Sequence, residues 1–263
     1  MTRLKALSLV AALAAATLLP SRAAEPVTAG PTIYMIGDST MADYAVVPGQ
    51  ALRGWGQMLH MYFKDGARVD NHAMSGRSCR SFIAEGRWEA VMNHLKEGDY
   101  VIIQFGHNDE KKEDPKRYAE PFGDFKNFLA GFIKDIRSKG AHPVLVTPVS
   151  RRTFGADNKI VHSHGDFAVA VRKLAEEEKV PLLDLEARTA EELEKMGPDR
   201  SKIWFMWVPA NEFPGQKEDK QDNTHFNGYG ADRICDLAIE EIKKNAPDLA
   251  KWVREGSVDP KKR

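Results

Sequence analysis

Apolar residues recur along this chain in two rhythms. Short, nearly unbroken runs appear as "TIYMIGD" (Thr32 to Asp38), "ARVDNHA" (Ala67 to Ala73), "YVIIQFG" (Tyr100 to Gly106), "HPVLVTP" (His142 to Pro148) and "VPLLDLE" (Val180 to Glu186). A stretch such as Val101-Ile102-Ile103 shows no polar alternation, which is the pattern of a parallel strand covered on both faces. Between the runs the spacing becomes helical. Phe122, Phe125, Leu129, Phe132, Ile133 and Ile136 form one apolar stripe, and "DFAVAVRKLAEEEK" (Asp166 to Lys179) and "GADRICDLAIEEIKK" (Gly230 to Lys244) read as two further amphipathic helices. Strands alternating with helices predict βαβ units, hence an α/β fold with a parallel sheet sandwiched by helices. The segment "IWFMWVPANEFPGQKED" (Ile203 to Asp219) is too apolar for a free linker and is expected either in the core or as a wall beside the residues after it.

The first residues follow another rule. Arg3 and Lys5 precede an apolar run from Ala6 to Leu19, and small residues follow around Ser21-Arg22-Ala23. This order predicts a secretory signal over 1–23, cleaved after Ala23, and export to the periplasm or the exterior. The apolar run spans about 14 residues against the roughly 20 a spanning helix needs, so stable membrane insertion is not expected. No cysteine near the cleavage site offers a lipid anchor. Residues 24–263 then form a single domain, with no repeat or low-complexity linker to divide it. Removing the signal takes three basic residues from a chain balanced at 38 basic and 38 acidic, leaving 35 against 38. That balance gives no support for nucleic acid as a partner. Cys79 and Cys235 are the two cysteines; they are free to pair in an oxidising compartment, but they make neither a disulfide framework nor a zinc cluster.

The residues with chemical potential fall just after the strands. "IGDSTM" ends the first run in Gly37, Asp38 and Ser39; "NHAMSGRSCRS" follows the second and places Gly76 in a turn; "GHND" follows the third; "DNTHFNGYGA" sets Asp222 and His225 three apart before the last helix. Each alone reads as a turn or a helix cap. Together they supply what acyl transfer needs: a hydroxyl, a base, a group that orients the base, and donors for the developing oxyanion. Ser39 is the candidate nucleophile, His225 the base and Asp222 its orienting acid. The N–H groups of Ser39 and Gly76 and the side-chain amide of Asn108 are the candidate oxyanion donors. Asp222 and His225 lack the third and fourth partners of a metal site, and no metal or cofactor is required. His107 is expected to brace its loop, and His162 and His164 to serve the surface or a loop. Arg77 and Arg80 near the Gly76 turn, Arg151 and Arg152 after the fourth strand, and Trp207 are candidate contacts for a substrate.

In this order the four blocks resemble the GDSL or SGNH hydrolases, from Gly37 to His225. The wording "GDSTM", "GRSCRSF", "FGHND" and "DNTHFNGYGA" is similar to the rhamnogalacturonan acetylesterases among the carbohydrate esterases. The resemblance implies a flavodoxin-like, three-layer α/β/α sandwich with a five-stranded parallel sheet, and carries the roles above onto Ser39, Gly76, Asn108, Asp222 and His225 without departure. It further implies a serine esterase that removes acetyl groups from a plant cell-wall polysaccharide, foremost the rhamnogalacturonan of pectin. Acetylxylan, small esters or lipids are the alternatives as substrate, and a non-catalytic carbohydrate-binding protein is the alternative in kind. The sequence leaves the oligomeric state open.

Overall fold

The five apolar runs become five parallel strands in the computed structural model, which describes residues 30–212 and 217–258. They are β1 (Thr32–Gly37), β2 (Arg68–Asn71), β3 (Tyr100–Gln104), β4 (His142–Val146) and β5 (Leu182–Leu183), in the order β2-β1-β3-β4-β5. The predicted signal segment, its cleavage point and the basic tail Lys261 to Arg263 lie outside the described residues. Among those described, no helix is long and apolar enough to cross a membrane.

Alternation along each strand divides the core into two layers. Ile33, Met35, Ile102, Val144 and Val146 pack against α1 (Trp55–Met58), α6 (Leu185–Arg200) and α7 (Gly228–Asn245). Tyr34, Ile36, Val101, Ile103 and Leu145 face α2 (Cys79–Ala84), α3 (Arg87–Met92), α4 (Lys126–Ser138) and α5 (Asp166–Glu178). Helices on both faces explain the unbroken apolar runs of β1 and β3, which are buried from Ile33 to Gly37 and from Tyr100 to Gln104. Cys79 and Cys235 belong to the two opposite layers and are free, buried thiols. The sheet between them rules out the pairing that the sequence leaves open.

Three local features differ from the hydrophobic pattern. Helix α4 begins at Lys126, because Gly123 leaves helical geometry in the preceding π-turn; Phe122 is exposed there while Phe125 stays in the core. Helix α6 is Glu-rich with a weak apolar stripe, and it kinks at Gly197 just before Pro198. Most consequential is an antiparallel hairpin outside the main sheet, β6 (Phe205–Val208) with β7 (Lys220–Phe226). Phe205, Met206 and Val208 are buried while Trp207 is half-buried, so the apolar segment serves as both core and wall.

Candidate active site

The strand order turns back between β1 and β3, and open α/β sheets bind ligands at the carboxyl ends of strands flanking such a point. Ser39 follows β1 and Asn108 follows β3, so the topology puts both on that rim. A buried polar chain fixes the turn that carries Ser39. Trp55 Nε1 donates to Gln104 Oε1 (2.9 Å), Gln104 Nε2 to Thr40 Oγ1 (2.6 Å), and Thr40 Oγ1 to Asp38 Oδ1 (2.9 Å). The chain is continuous, so it holds Ser39 in one geometry with few alternatives.

His225 and Asp222 reach the same rim from β7. The His225 Nε2 atom lies 2.8 Å from Ser39 Oγ, and its Nδ1 lies 2.8 Å from Asp222 Oδ2. Asp222 Oδ1 accepts from the backbone N–H groups of Thr224 (2.8 Å) and His225 (3.0 Å), which locks the carboxylate in orientation. Partial burial opposes its charge, but the His225 ring and these two N–H donors hold the carboxyl down to about 2. Where the sequence alone reads as a turn or a helix cap, Asp222 and His225 stand instead on an edge-like strand. The pairing of β6 and β7 gives the acid–base couple a backbone frame.

The candidate oxyanion donors come from two further blocks. Gly76 has φ +80°, a left-handed turn conformation that side chains disfavour, and the space where a Cβ would project is open. Among the described residues, the N–H groups of Ser39 and Gly76 meet no hydrogen-bond acceptor. Asn108 Nδ2 donates one hydrogen to Arg77 O (3.0 Å), which ties it to the Gly76 turn and leaves its second hydrogen free. Asp109 binds these blocks together, accepting from Cys79 N (2.8 Å) and Gly106 N (3.0 Å); complete burial pushes its carboxyl up to about 7. Gly106, at φ +141° with its Cβ position against the Pro148 ring, is a site only glycine fills easily.

Two residues at this rim carry no sequence signal. Tyr44 donates through its hydroxyl to Ser39 O (2.8 Å), and Gln57 clamps the Tyr44 backbone by accepting from its N–H (3.1 Å) and donating to its carbonyl (2.8 Å). Asp38, adjacent to Ser39, is fully buried with its Oδ2 3.3 Å from His107 Nδ1. Burial drives His107 down to about 4. His107 therefore braces the loop, as its position beside Asn108 suggested, with His164 edge-on to its ring at 4.3 Å. His162 and His164 diverge to different carboxylates, Glu186 and Glu110, both at 3.0 Å.

The candidate substrate arginines separate into two groups. Arg77 Nε donates to both Glu85 oxygens (3.0 and 3.1 Å), Arg80 pairs with Asp124, and Arg151 pairs with Glu110. Their charges are satisfied within the fold. Arg152 has no carboxylate within 4.0 Å among the described residues; it donates to Pro198 O (2.8 Å) and stacks on Trp207, its guanidinium carbon 4.7 Å from the ring centroid. Trp207 in turn donates to Asn223 Oδ1 (2.8 Å), beside Asp222.

The sequence model of the GDSL-like lipase/acylhydrolase family matches residues 35–233. The chain belongs to this family. Over 213 residues it is 42% identical to rhamnogalacturonan acetylesterase RhgT of Bacillus subtilis (strain 168), covering 81% of this chain and 89% of that protein. A rhamnogalacturonan acetylesterase of Emericella nidulans is 28% identical over 252 residues, 88% of this chain and 90% of that one. Among solved structures, Bacillus subtilis YxiM superposes with a TM-score of 0.67 at 31% identity, over 82% of this chain; the chain spans 57% of that longer protein. The acetylxylan esterase Axe2 of Geobacillus stearothermophilus shares the fold, with a TM-score of 0.60 at 18% identity, over 88% of this chain and all (100%) of its own. The expected α/β/α architecture and family are thus established, and the protein is a carboxylic ester hydrolase.

Proposed function

We propose that this protein is an exported serine esterase that removes acetyl groups from polysaccharide, foremost the rhamnogalacturonan of pectin. The observation that carries the mechanism is the unbroken line Ser39 Oγ, His225 Nε2, His225 Nδ1, Asp222 Oδ2, with 2.8 Å at both polar contacts. In the proposed cycle Ser39 Oγ attacks the acetyl carbonyl carbon while His225 Nε2 takes the hydroxyl proton. The carbonyl oxygen gains the charge, and the N–H groups of Ser39 and Gly76 and the free Asn108 Nδ2–H receive it. The tetrahedral intermediate collapses as the C–O bond to the sugar breaks and His225 returns the proton to the leaving sugar oxygen. Water then attacks the acetyl-Ser39 ester and loses a proton to His225, which returns it to Ser39 Oγ as the Oγ–carbonyl bond breaks and acetate departs.

The pectic substrate is supported by the naming of relatives that cover most of their own length, and export by the charged, apolar and small-residue order of residues 1–23. Acetate release from acetylated rhamnogalacturonan, acetylated xylan and p-nitrophenyl acetate, with wild type and Ser39→Ala side by side, tests the reading. Wild type should favour the pectic polymer, and Ser39→Ala should lose nearly all turnover while melting as a folded protein. Normal turnover by the folded Ser39→Ala protein would end the mechanism; a preference for xylan would end the pectin assignment alone. N-terminal sequencing of protein recovered outside the cytoplasm should begin at Ala24.

A further inference from the structure

Two loops hold the side chain of Asn108. Its Nδ2 donates to Arg77 O (3.0 Å), the carbonyl that follows the Gly76 turn. Its Oδ1 faces Arg117 Nη1 at 3.4 Å. Arg117 comes from residues 110–119, "EKKEDPKRYA", a polar stretch without hydrophobic rhythm. This stretch folds back, turn by turn, on the block it leaves. Lys111 N donates to Asn108 O (3.3 Å), Asp114 N to Lys111 O (2.9 Å), Arg117 N to Asp114 O (3.0 Å) and Ala119 N to Asp109 O (3.1 Å).

Asp114 sets the guanidinium in place. Its Oδ1 accepts from Lys116 N (3.0 Å) and its Oδ2 from Arg117 Nε (2.5 Å). With Nε occupied, Nη1 is the nitrogen presented to Asn108. The side chains of Arg117 and Asp114 are 30% and 29% exposed, so their ion pair adds little to folding. An amide can be turned end for end, and its partners decide which atom stands where. Arg77 O is an acceptor and selects the nitrogen; Arg117 is a donor and selects the oxygen. Both contacts demand the same orientation. Between neutral groups a 3.4 Å bond would be weak, but this donor carries a full charge, whose attraction for a carbonyl dipole fades slowly with distance. The charge also draws electron density toward Oδ1, which makes Nδ2–H a stronger donor.

We propose, resting on the oxyanion role of Asn108, that Arg117 is a positioning residue whose guanidinium fixes and polarises the Asn108 amide and so strengthens the donor offered to the oxyanion. Negative charge grows on the carbonyl oxygen only in the transition state. Arg117 therefore acts on kcat and leaves KM for a small neutral ester nearly unchanged. A whole donor is worth about 10²–10³ in kcat; Arg77 O keeps hold of the amide without Arg117, so the share of Arg117 is smaller, about 10-fold.

Steady-state hydrolysis of p-nitrophenyl acetate by wild type, Arg117→Met, Asn108→Ala and the double variant, each with a thermal melt, tests this. Arg117→Met removes the charge and every side-chain donor but keeps an apolar stem. It should lower kcat about 10-fold with KM within about 2-fold of wild type. In the Asn108→Ala background the same exchange should change kcat by less than about 2-fold, because no amide remains to orient. Arg117→Lys keeps the charge without the planar fork and should fall between, about 3-fold below wild type; it replaces Arg117→Met in the cycle if that variant does not fold. An arginine that serves structure alone would lower Tm and reduce kcat by the same factor in both backgrounds, and that result overturns the assignment. Unchanged kcat in folded Arg117→Met, beside an impaired Asn108→Ala, overturns it while sparing Asn108. Wild-type kcat in Asn108→Ala would remove the oxyanion role itself, and the role of Arg117 with it.

Discussion

Replacing Asp222 by Asn isolates one property of the proposed triad. Oδ1 of the carboxylate already accepts from Thr224 N and His225 N, so the amide oxygen of Asn must take that place. The amide nitrogen is then left where Oδ2 stood, 2.8 Å from His225 Nδ1. Two donors cannot face each other, so Nδ1 becomes the acceptor and the ring proton moves to Nε2. An imidazole protonated on Nε2 cannot take the proton of Ser39. We expect kcat to fall about 10⁴-fold, the scale of the same exchange in another serine triad. The fold loses less. The carboxyl stands at about 2 instead of its ordinary 3.8, a difference worth roughly 2 kcal/mol at neutral pH before discounting for its partial exposure. This is a lowered acid, so its contribution is complete above the unfolded value near 3.8 and disappears as pH falls through about 2. Asp222→Ala leaves both N–H groups without their acceptor and should lower Tm at pH 7 by about 5 °C, whereas Asp222→Asn should lower it less. Steady-state hydrolysis of p-nitrophenyl acetate beside thermal melts at pH 7 separates these effects. An Asp222→Asn protein that melts like wild type and keeps more than about a tenth of its kcat would refute the tautomer argument.

Three further outcomes follow from neighbouring contacts. Asn108→Ala should lower kcat by about 10²–10³ with little change in KM, as removal of one oxyanion donor does, and a melt reports separately on the lost bond to Arg77 O. Tyr44→Phe deletes the bond to Ser39 O; unfolding in urea should show a loss of about 1 kcal/mol, with kcat falling more than KM changes. Burial holds His107 at about 4 against 6.5, so between these values the unfolded chain binds the extra proton and stability rises with pH. Melting curves of His107→Asn across that window should be flatter than wild type, and an unchanged slope would show that His107 is charged in the fold.

The parts of the fold that the sequence announces are those whose side chains have only packing to do. Val101, Ile102 and Ile103 are apolar because both sheet faces are covered, so the run is visible without any structure. The blocks of the candidate site are legible for a related reason: Gly76 and Gly106 mark backbone that other residues avoid, and Ser39, Asn108 and His225 are polar where a strand ends. The hairpin was hidden. Lys220, Gln221, Asp222, Asn223, Thr224 and His225 show no apolar alternation, because the side chains of Asp222 and His225 pair with each other and that of Asn223 holds Trp207. Helix α6 was hidden too, since much of its surface meets solvent. The arginines could not be sorted at all from sequence. Glu85, Asp124 and Glu110 lie 8, 44 and 41 residues from their partners, and no local rule connects them.

The hairpin also explains why the site divides as it does between two mechanical settings. Ser39 and Asn108 leave buried strands whose neighbours hold them on both sides. Asp222 and His225 stand on a two-stranded ribbon, a type of element that is marginal alone and takes its stability from what it packs upon. In this chain it packs through Phe205 and Phe226, whose rings meet at 5.1 Å within the α7 layer. Asn227, at the junction of β7 and α7, caps the helix by accepting from Gly230 N (2.9 Å) and donates back to Ile203 O (2.8 Å) and Phe205 O (3.0 Å). One residue thus ties the helix start, the approach to β6 and the end of β7 together. The 2.8 Å contact between His225 and Ser39 is consequently set by the seating of the ribbon on α7 as well as by the triad itself. On the proposed mechanism Asn227→Ala, remote from the reacting atoms, should therefore lower kcat for p-nitrophenyl acetate through that seating, and steady-state kinetics beside a thermal melt check it.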